Sequence, residues 1–205
     1  MTEHQDDTLW QAYYAKVANR EPRALFQRLM GALTPGDTPG LAIDLGCGDG
    51  TETLALLAAG WRVLALDGAP AAIARVRDSA RPADADRLQT QQATFTDAVL
   101  PPANLIYAGL SLPFCAPGDF PRLWSKVRDA LRPGARFAGH FFGVRDSWAE
   151  RPEMTFHTAD ELRALFSSLN IEFWQETEED RPSAFEAMKH FHYFEVIAQR
   201  ADSRV

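Results

Sequence analysis

Two aspartates stand where apolar runs end, and their surroundings point to ligand chemistry. Asp44 closes "LAIDL" two positions before the first of three glycines, Gly46, Gly48 and Gly50, in "AIDLGCGDGT". Asp67 ends "VLALDG", 21 residues after Gly46. A strand that runs into a glycine turn and then a helix presents free backbone N–H groups and the positive end of the helix dipole, so such a turn holds acceptor atoms. Glycines at alternate positions let the chain bend tightly and let a ligand approach with no Cβ in the way.

Spacing and charge narrow the ligand. The dinucleotide fingerprint has its third glycine three positions after the second; that position is Thr51, and the third glycine is Gly50. No Gly-Lys-Ser/Thr follows, so the phosphate-loop pattern also fails. A carboxylate at Asp44 would repel a pyrophosphate but suits a ligand carrying positive charge, such as an ammonium near a sulfonium. At the end of the second strand, Asp67 is placed to accept both hydroxyls of a ribose. A glycine loop, a ribose-binding acid and a second acid for an amino acid group together describe S-adenosylmethionine.

The elements that must position these residues follow from periodicity. Short apolar runs alternate with helical patterns, the signature of βαβ units and a parallel sheet. Strands are expected at 41–45, 61–66, 88–93, 104–108 and 135–142, and helices at 51–59, 70–80 and 119–131. Phe120, Leu123, Trp124, Val127 and Leu131 form one apolar stripe, and "RPG" at 132–134 is expected to stop that helix. Thr158 and Glu161 stand at capping-box spacing for a helix over 159–169. Two β-rich runs, 171–176 and 190–199, are expected to pair as a long hairpin, with the acidic "ETEEDRPS" as a solvated loop between them. Two helical segments, 6–18 and 21–33, precede the sheet, with Pro22 suited to the first turn of the second.

Composition sets outer limits. A chain of 205 residues is expected to form a single domain, with 1–35 as a helical lid and 41–199 as the core. Hydrophobic residues make up 46% and charged residues 24%, ordinary for a soluble globular protein. The net charge of −7 opposes a nucleic-acid partner. Cys47 and Cys115 lack metal-ligand spacing, so no metal is expected and a reducing cytoplasm fits. The acidic amino terminus does not read as a signal peptide, and no apolar run reaches the length of a membrane span. A cytoplasmic monomer or homodimer acting on a small molecule is expected.

The stretch "AIDLGCGDGTETLALLAAGWRVLALDGAPAAIARVR" resembles the first two βα units of class I S-adenosylmethionine-dependent methyltransferases. "NLIYAGLSLPFC", "FFGVRDSW" and "KHFHYFEVIAQR" resemble a bacterial small-molecule branch similar to tellurite-resistance methyltransferases. The resemblance implies an α/β fold: a three-layer, Rossmann-like, seven-stranded, mostly parallel sheet with the last strand antiparallel, plus N-terminal lid helices. It also implies that Asp44, Gly46, Cys47 and Gly48 line the methionine part, with Gly50 shaping the turn. Asp67 would hold the ribose and Gly68 would lie beside the adenine. Thr94 and Phe95 occupy the place of an acid and an apolar residue bounding adenine, Thr94 being a departure from the acid. Gly109, Leu110 and Ser111 would pass under the cofactor. Tyr14 would reach it from the lid, and Arg23, or Arg20 nearby, would pair with the methionine carboxylate. S-adenosylhomocysteine would be the product.

On the acceptor side the candidates are Tyr13, Arg145, Trp148, His190 and His192. Arg145 and Asp146 also read as a pair fixing their loop, His190 and His192 as structural histidines beside Lys189, and His140 as a hydrogen-bonded core residue. Methyl transfer from a sulfonium is an in-line displacement promoted by positioning and a dry pocket. It needs no base for soft acceptors such as a thiolate or a chalcogen or metalloid oxyanion, whereas a neutral amine or hydroxyl needs a proton acceptor. "AGLSLPFC" lacks the acidic or amide residue followed by two prolines and an aromatic that nucleobase amino-methyltransferases carry after the fourth strand. The competing readings are a non-catalytic cofactor-binding regulatory domain and a nicotinamide-dependent oxidoreductase.

Overall fold

Alternating apolar runs and helices fold as expected into a mostly parallel sheet. The structure is a computed structural model that describes residues 20–33, 39–183 and 187–202. Its elements are α1 (Ala24–Ala32), β1 (Leu41–Leu45), α2 (Thr51–Ala58), β2 (Arg62–Asp67), α3 (Pro70–Ser79), β3 (Leu88–Gln92), β4 (Ala103–Ala108), α4 (Phe120–Ala130), β5 (Leu131–Gly143), β6 (Phe156–His157), α5 (Ala159–Leu165), β7 (Asn170–Pro182) and β8 (Met188–Gln199). The sheet order is β3-β2-β1-β4-β5-β8-β7, with β6 paired to β5 off that path. β1 pairs parallel with β2 and β4, and β4 with β5, while β8 runs antiparallel between β5 and β7. No helix among the described residues is long and apolar enough to cross a membrane.

The helices form two layers because side chains alternate across each strand. On one face, Leu25, Phe26 and Leu29 of α1 and Leu56 and Leu57 of α2 pack on Ala42, Val63, Leu105, Tyr107, Ala138 and Ile197. α3 joins that layer through Ile73 and Val76 on Ala65. On the other face, Phe120, Leu123, Trp124 and Val127 of α4 and Leu162 of α5 pack on Ile43, Ile106, Phe137, Phe141 and Phe194. Trp124 meets the rings of Phe137 and Phe166 edge-on, at centroid separations of 5.2 and 4.9 Å. Each large side chain buried in this way contributes roughly 1.5–3 kcal/mol.

Several boundaries differ from expectation. The acidic stretch is not a loop: β7 continues through it to Pro182. Glu176, Glu178 and Asp180 fall on one side of the strand at alternate positions and find cross-strand partners in His192 and His190. Side chains hydrogen-bonded across a ladder support a strand that composition alone reads as solvated coil. "RPG" ends α4 but lies within β5, where Gly134, at φ +75°, donates its N–H to Arg200 O. The helix expected over 159–169 stops at Leu165, although Thr158 and Glu161 form the expected capping box. α1 is shorter than 21–33, starting after Pro22. The segment 6–18, with Tyr13 and Tyr14, lies outside the described residues.

Candidate functional site

The glycine bend is tied to its neighbours by backbone geometry. Gly46, Gly48 and Gly50 have φ of +82°, +51° and +82°, a region that side-chain-bearing residues rarely adopt. The N–H groups of Gly46 and Cys47 both donate to Leu66 O, at 2.7 and 2.9 Å, which fastens the bend to β2. On the other side, a Cβ on Gly46 would lie 2.2 Å from Ser111 Cβ, and the Ser111 hydroxyl donates to Leu45 O. Leu110, just before it, is the one non-glycine residue with positive φ among those described, at 57°. Backbone strain of this kind persists only where the surroundings impose it. The tips of β1, β2 and β4 therefore form one rigid edge.

Asp67 joins two of those tips. Its carboxylate accepts the N–H of Gly48 on Oδ2 and that of Ala69 on Oδ1, both at 2.9 Å. Each oxygen keeps a further lone pair for an incoming donor. Burial pushes the Asp67 carboxyl above its ordinary range, against the pull of those N–H bonds. Asp44 is only 2% exposed and accepts the Thr53 hydroxyl at 2.6 Å. Burial first, then the charge of Glu52, pushes its carboxyl up to about 7, the Thr53 bond opposing.

Arg20 bridges the acids of the α2 entrance. It donates to both oxygens of Glu52, at 2.7 and 2.5 Å, and to Asp49 at 3.0 Å. Glu52 also accepts the Arg23 backbone N–H at 3.0 Å; burial raises its carboxyl, but the Arg20 and Arg23 contacts hold it below the ordinary range. Of the two arginines weighed for the methionine carboxylate, Arg20 is thus engaged with acids, and Arg23 sits just before α1 with its main chain on Glu52. Four carboxylates, Asp44, Asp49, Glu52 and Asp67, surround the bend. That field fits a cationic ligand and opposes a diphosphate.

The remaining cofactor candidates line the same edge. Gly68 is exposed, and a Cβ there would meet nothing nearer than Ala93 O at 3.8 Å. Thr94 is exposed and donates to Asp97 at 2.8 Å, so Asp97 brings to this loop the carboxylate that Thr94 lacks. Phe95 packs against the core. Cys47 is buried, and burial pushes its thiol well up. At Gly109 a Cβ would come within 2.6 Å of the Tyr107 ring, so glycine there lets that ring lie across the end of β4.

The acceptor-side candidates do not gather in one place. His190 and His192 do share a face, but it is the face of Phe194 and Gly143, opposite Asp44 and Tyr107. His192 takes the Arg145 backbone N–H on Nδ1 at 3.1 Å and faces Glu176 through Nε2 at 2.9 Å. His190 contacts Asp180 and Glu178, and exposed Arg145 binds Glu176 and Glu178. Ladder contacts account for all three. Asp146 pairs not with Arg145 but with Lys189, both fully enclosed. The ammonium lies 4.4 Å from the Trp148 ring centroid, 4.0 Å from Phe191 and 5.1 Å from Phe142. Two further groups sit on the Asp44 face: Tyr107, which sequence reasoning passed over, and His140, read from the sequence as a hydrogen-bonded core residue rather than a base, whose partner proves to be Glu195. Among the described residues, no three His, Cys, Asp or Glu side chains are grouped to hold a metal ion.

Known proteins bear on this edge directly. The family model described as a methyltransferase domain matches residues 42–134. None of the curated protein sequences matches the chain. Among solved structures, TehB from Haemophilus influenzae superposes with a TM-score of 0.74 at 13% identity, over 87% of this chain and 62% of that one. The chain therefore spans less than two thirds of the TehB structure. A structure described by the conversion of a disulfide bond into a thioacetal group during echinomycin biosynthesis gives 0.67 at 22% identity, over 99% and 94% of the two chains. The Burkholderia thailandensis 1,6-didemethyltoxoflavin-N1-methyltransferase, solved with 1,6-didemethyltoxoflavin and S-adenosylhomocysteine, gives 0.61 at 20%, over 97% and 84%. These likenesses show a shared fold. The glycine bend, Asp67 and the tip of β4 all fall inside residues 42–134, the segment that matches the methyltransferase domain model.

Proposed function

We propose that the chain methylates a small molecule held over the carboxyl ends of β4 and β5, with the cofactor lying along the β1, β2 and β4 tips. The observation that carries this reading is the pair of carboxylates flanking the glycine bend: Asp67, with free lone pairs for a ribose, and buried Asp44, raised to about 7. S-adenosylmethionine, when bound, supplies an electrophilic methyl group on a cationic sulfur. Asp44 answers the ammonium of its amino acid part, Gly46, Cys47, Gly48 and Gly50 make room for it, and Asp67 orients the ribose. Gly68, Thr94 and Phe95 border the base, and Gly109, Leu110 and Ser111 form the floor. Tyr14 and Arg23 would close it from the amino-terminal side. The net charge of −7 and the absence of a nucleobase motif in "AGLSLPFC" favour a small acceptor over nucleic acid. A soft acceptor, a thiol or a chalcogen or metalloid oxyanion, agrees with the resemblance of "NLIYAGLSLPFC", "FFGVRDSW" and "KHFHYFEVIAQR" to tellurite-resistance methyltransferases, and the 1,6-didemethyltoxoflavin-N1-methyltransferase is a protein of the same fold solved with a small molecule bound.

Calorimetry with S-adenosylhomocysteine tests this reading. An Asp44 carboxyl that titrates near 7 is about one tenth ionised at pH 6 and about nine tenths at pH 8, so affinity is expected to tighten roughly tenfold between them. Asp44→Asn should flatten that slope. The sign for folding is opposite: a raised carboxyl holds its proton longer in the folded chain, so ligand-free stability falls from about pH 4 to about pH 7. No binding of S-adenosylhomocysteine, or binding of NAD in its place, would overturn the reading.

A further inference from the structure

We propose that His140, oriented by Glu195 and faced by Tyr107, is the proton acceptor of the methyl-transfer site, and that the acceptor molecule bears its proton on the reacting atom: a thiol, a phenol or a ring N–H. This inference rests on the methyltransferase reading above and deepens it.

Four observations meet here. His140 and Glu195 are directly opposite in the antiparallel β5–β8 register, and His140 Nε2 lies 3.1 Å from Glu195 Oε1. The bond to His140 holds the Glu195 carboxyl below its ordinary range, so it is an ionised acceptor and Nε2 carries the hydrogen. Nδ1 is then left with a lone pair, buried and without a partner among the described residues, in a residue only 4% exposed. The Tyr107 hydroxyl is also buried without a partner among the described residues, in a residue 1% exposed.

A buried polar atom left unsatisfied is destabilising, and two on the same face of a sheet mark a place where something else completes them. Register brings them together. Tyr107 pairs with Asp44 on one side and Ala138 on the other, and His140 is two residues beyond Ala138 on the same face. Continuing the β4–β5 register sets Gly109 beside His140, and a Cβ at Gly109 would lie 2.9 Å from the Tyr107 hydroxyl. The tyrosine hydroxyl and the imidazole thus flank the end of β4, next to the strand whose tip opens the glycine bend.

The electrostatics suit proton uptake. Burial pushes the His140 imidazole below its ordinary range, Glu195 opposing, so it is neutral near pH 7. The other groups acting on the dyad are Arg23 ahead of α1, Glu52 of α2, Arg28 of α1 on Glu195, and the Tyr193 ring 6.3 Å away on β8. His140 Nδ1 takes the acceptor's proton as the nucleophile's lone pair forms the bond to the methyl carbon and the carbon–sulfur pair returns to sulfur. Positive charge leaves the sulfonium and appears on the imidazolium, facing Glu195. Tyr107 donates to or accepts from the acceptor molecule and so orients it.

Two measurements test this. In cofactor-free protein, nitrogen NMR with 15N-histidine should show His140 at pH 7 protonated on Nε2 and bare on Nδ1, and Glu195→Gln should lower its titration point while preserving that tautomer. Radiolabelled methyl transfer should then be followed from S-adenosylmethionine to 2-mercaptoethanol, catechol and benzimidazole, with selenite and iodide as acceptors that need not lose a proton. At least one of the first three should be methylated, and His140→Gln should slow it at least 100-fold, the scale of general-base catalysis, with S-adenosylhomocysteine affinity within about twofold. A proton on Nδ1 at pH 7, full turnover by His140→Gln, or transfer only to selenite or iodide or to nothing by a protein that binds S-adenosylhomocysteine would overturn the proposal. Failure of the wild type to bind S-adenosylhomocysteine would instead overturn the reading beneath it.

Discussion

Replacing Asp67 with alanine is expected to weaken S-adenosylhomocysteine binding at least 100-fold in calorimetry. The carboxylate stands at the tip of β2 with one oxygen on the Gly48 N–H and the other on the Ala69 N–H. Two effects add. A ribose would lose two hydrogen bonds to a charged acceptor, each worth about 1.5–3 kcal/mol, and every 1.4 kcal/mol is a factor of ten. The bend would also lose its fastening between Gly48 and β2, so the pocket is no longer held in shape before the ligand arrives. Asp67→Asn keeps one acceptor oxygen, and with it one of the two backbone fastenings, and should lose less. An Asp67→Ala protein that binds with unchanged affinity would remove Asp67 from the site.

The second large effect concerns stability. Lys189→Ala is expected to cost about 3–5 kcal/mol in urea unfolding, because it leaves the Asp146 carboxylate buried without its cation. The Lys189 and Asp146 side chains are 3% and 0% exposed, and the ammonium is walled by Phe142, Trp148 and Phe191. Among the described residues, Asp146 would retain two backbone donors, the N–H of Trp148 at 2.9 Å and that of His192 at 3.2 Å. Adding Asp146→Asn to Lys189→Met should recover part of the loss, since the stranded charge is then gone and the methionine refills the aromatic box. A loss below about 1 kcal/mol for Lys189→Ala would show that water reaches the pair.

How far these sites were legible depends on the distance over which their signals act. Asp44, the glycines and Asp67 sit on one βα unit and the next strand, so the residue types and their spacing already state the geometry. α4 was equally plain, because Phe120, Leu123, Trp124 and Val127 repeat at the helical period. The acidic end of β7 was not. Its glutamates look like a solvated loop until His190, His192 and Arg145 lie across from them, and that pairing depends on a hairpin register that no local pattern announces. For the same reason the amino-terminal part of the site was reduced to a choice between arginines: Arg20 meets Glu52 only when the chain returns 32 residues later.

By itself, the sequence determined where the glycine bend lies and what sort of ligand its charge suits, because a glycine bend and two strand-end acids are set by covalent order. It also determined the helix and strand succession from β1 to β5, since side-chain period is a local property. Only tertiary structure decided which polar groups in the apolar strands have partners. His140 finds Glu195 across 55 positions, Lys189 finds Asp146 across 43, and Tyr107 ends beside Gly109 with its hydroxyl unpaired among the described residues. Those outcomes follow from strand order and register, which come from packing two faces of one sheet at once.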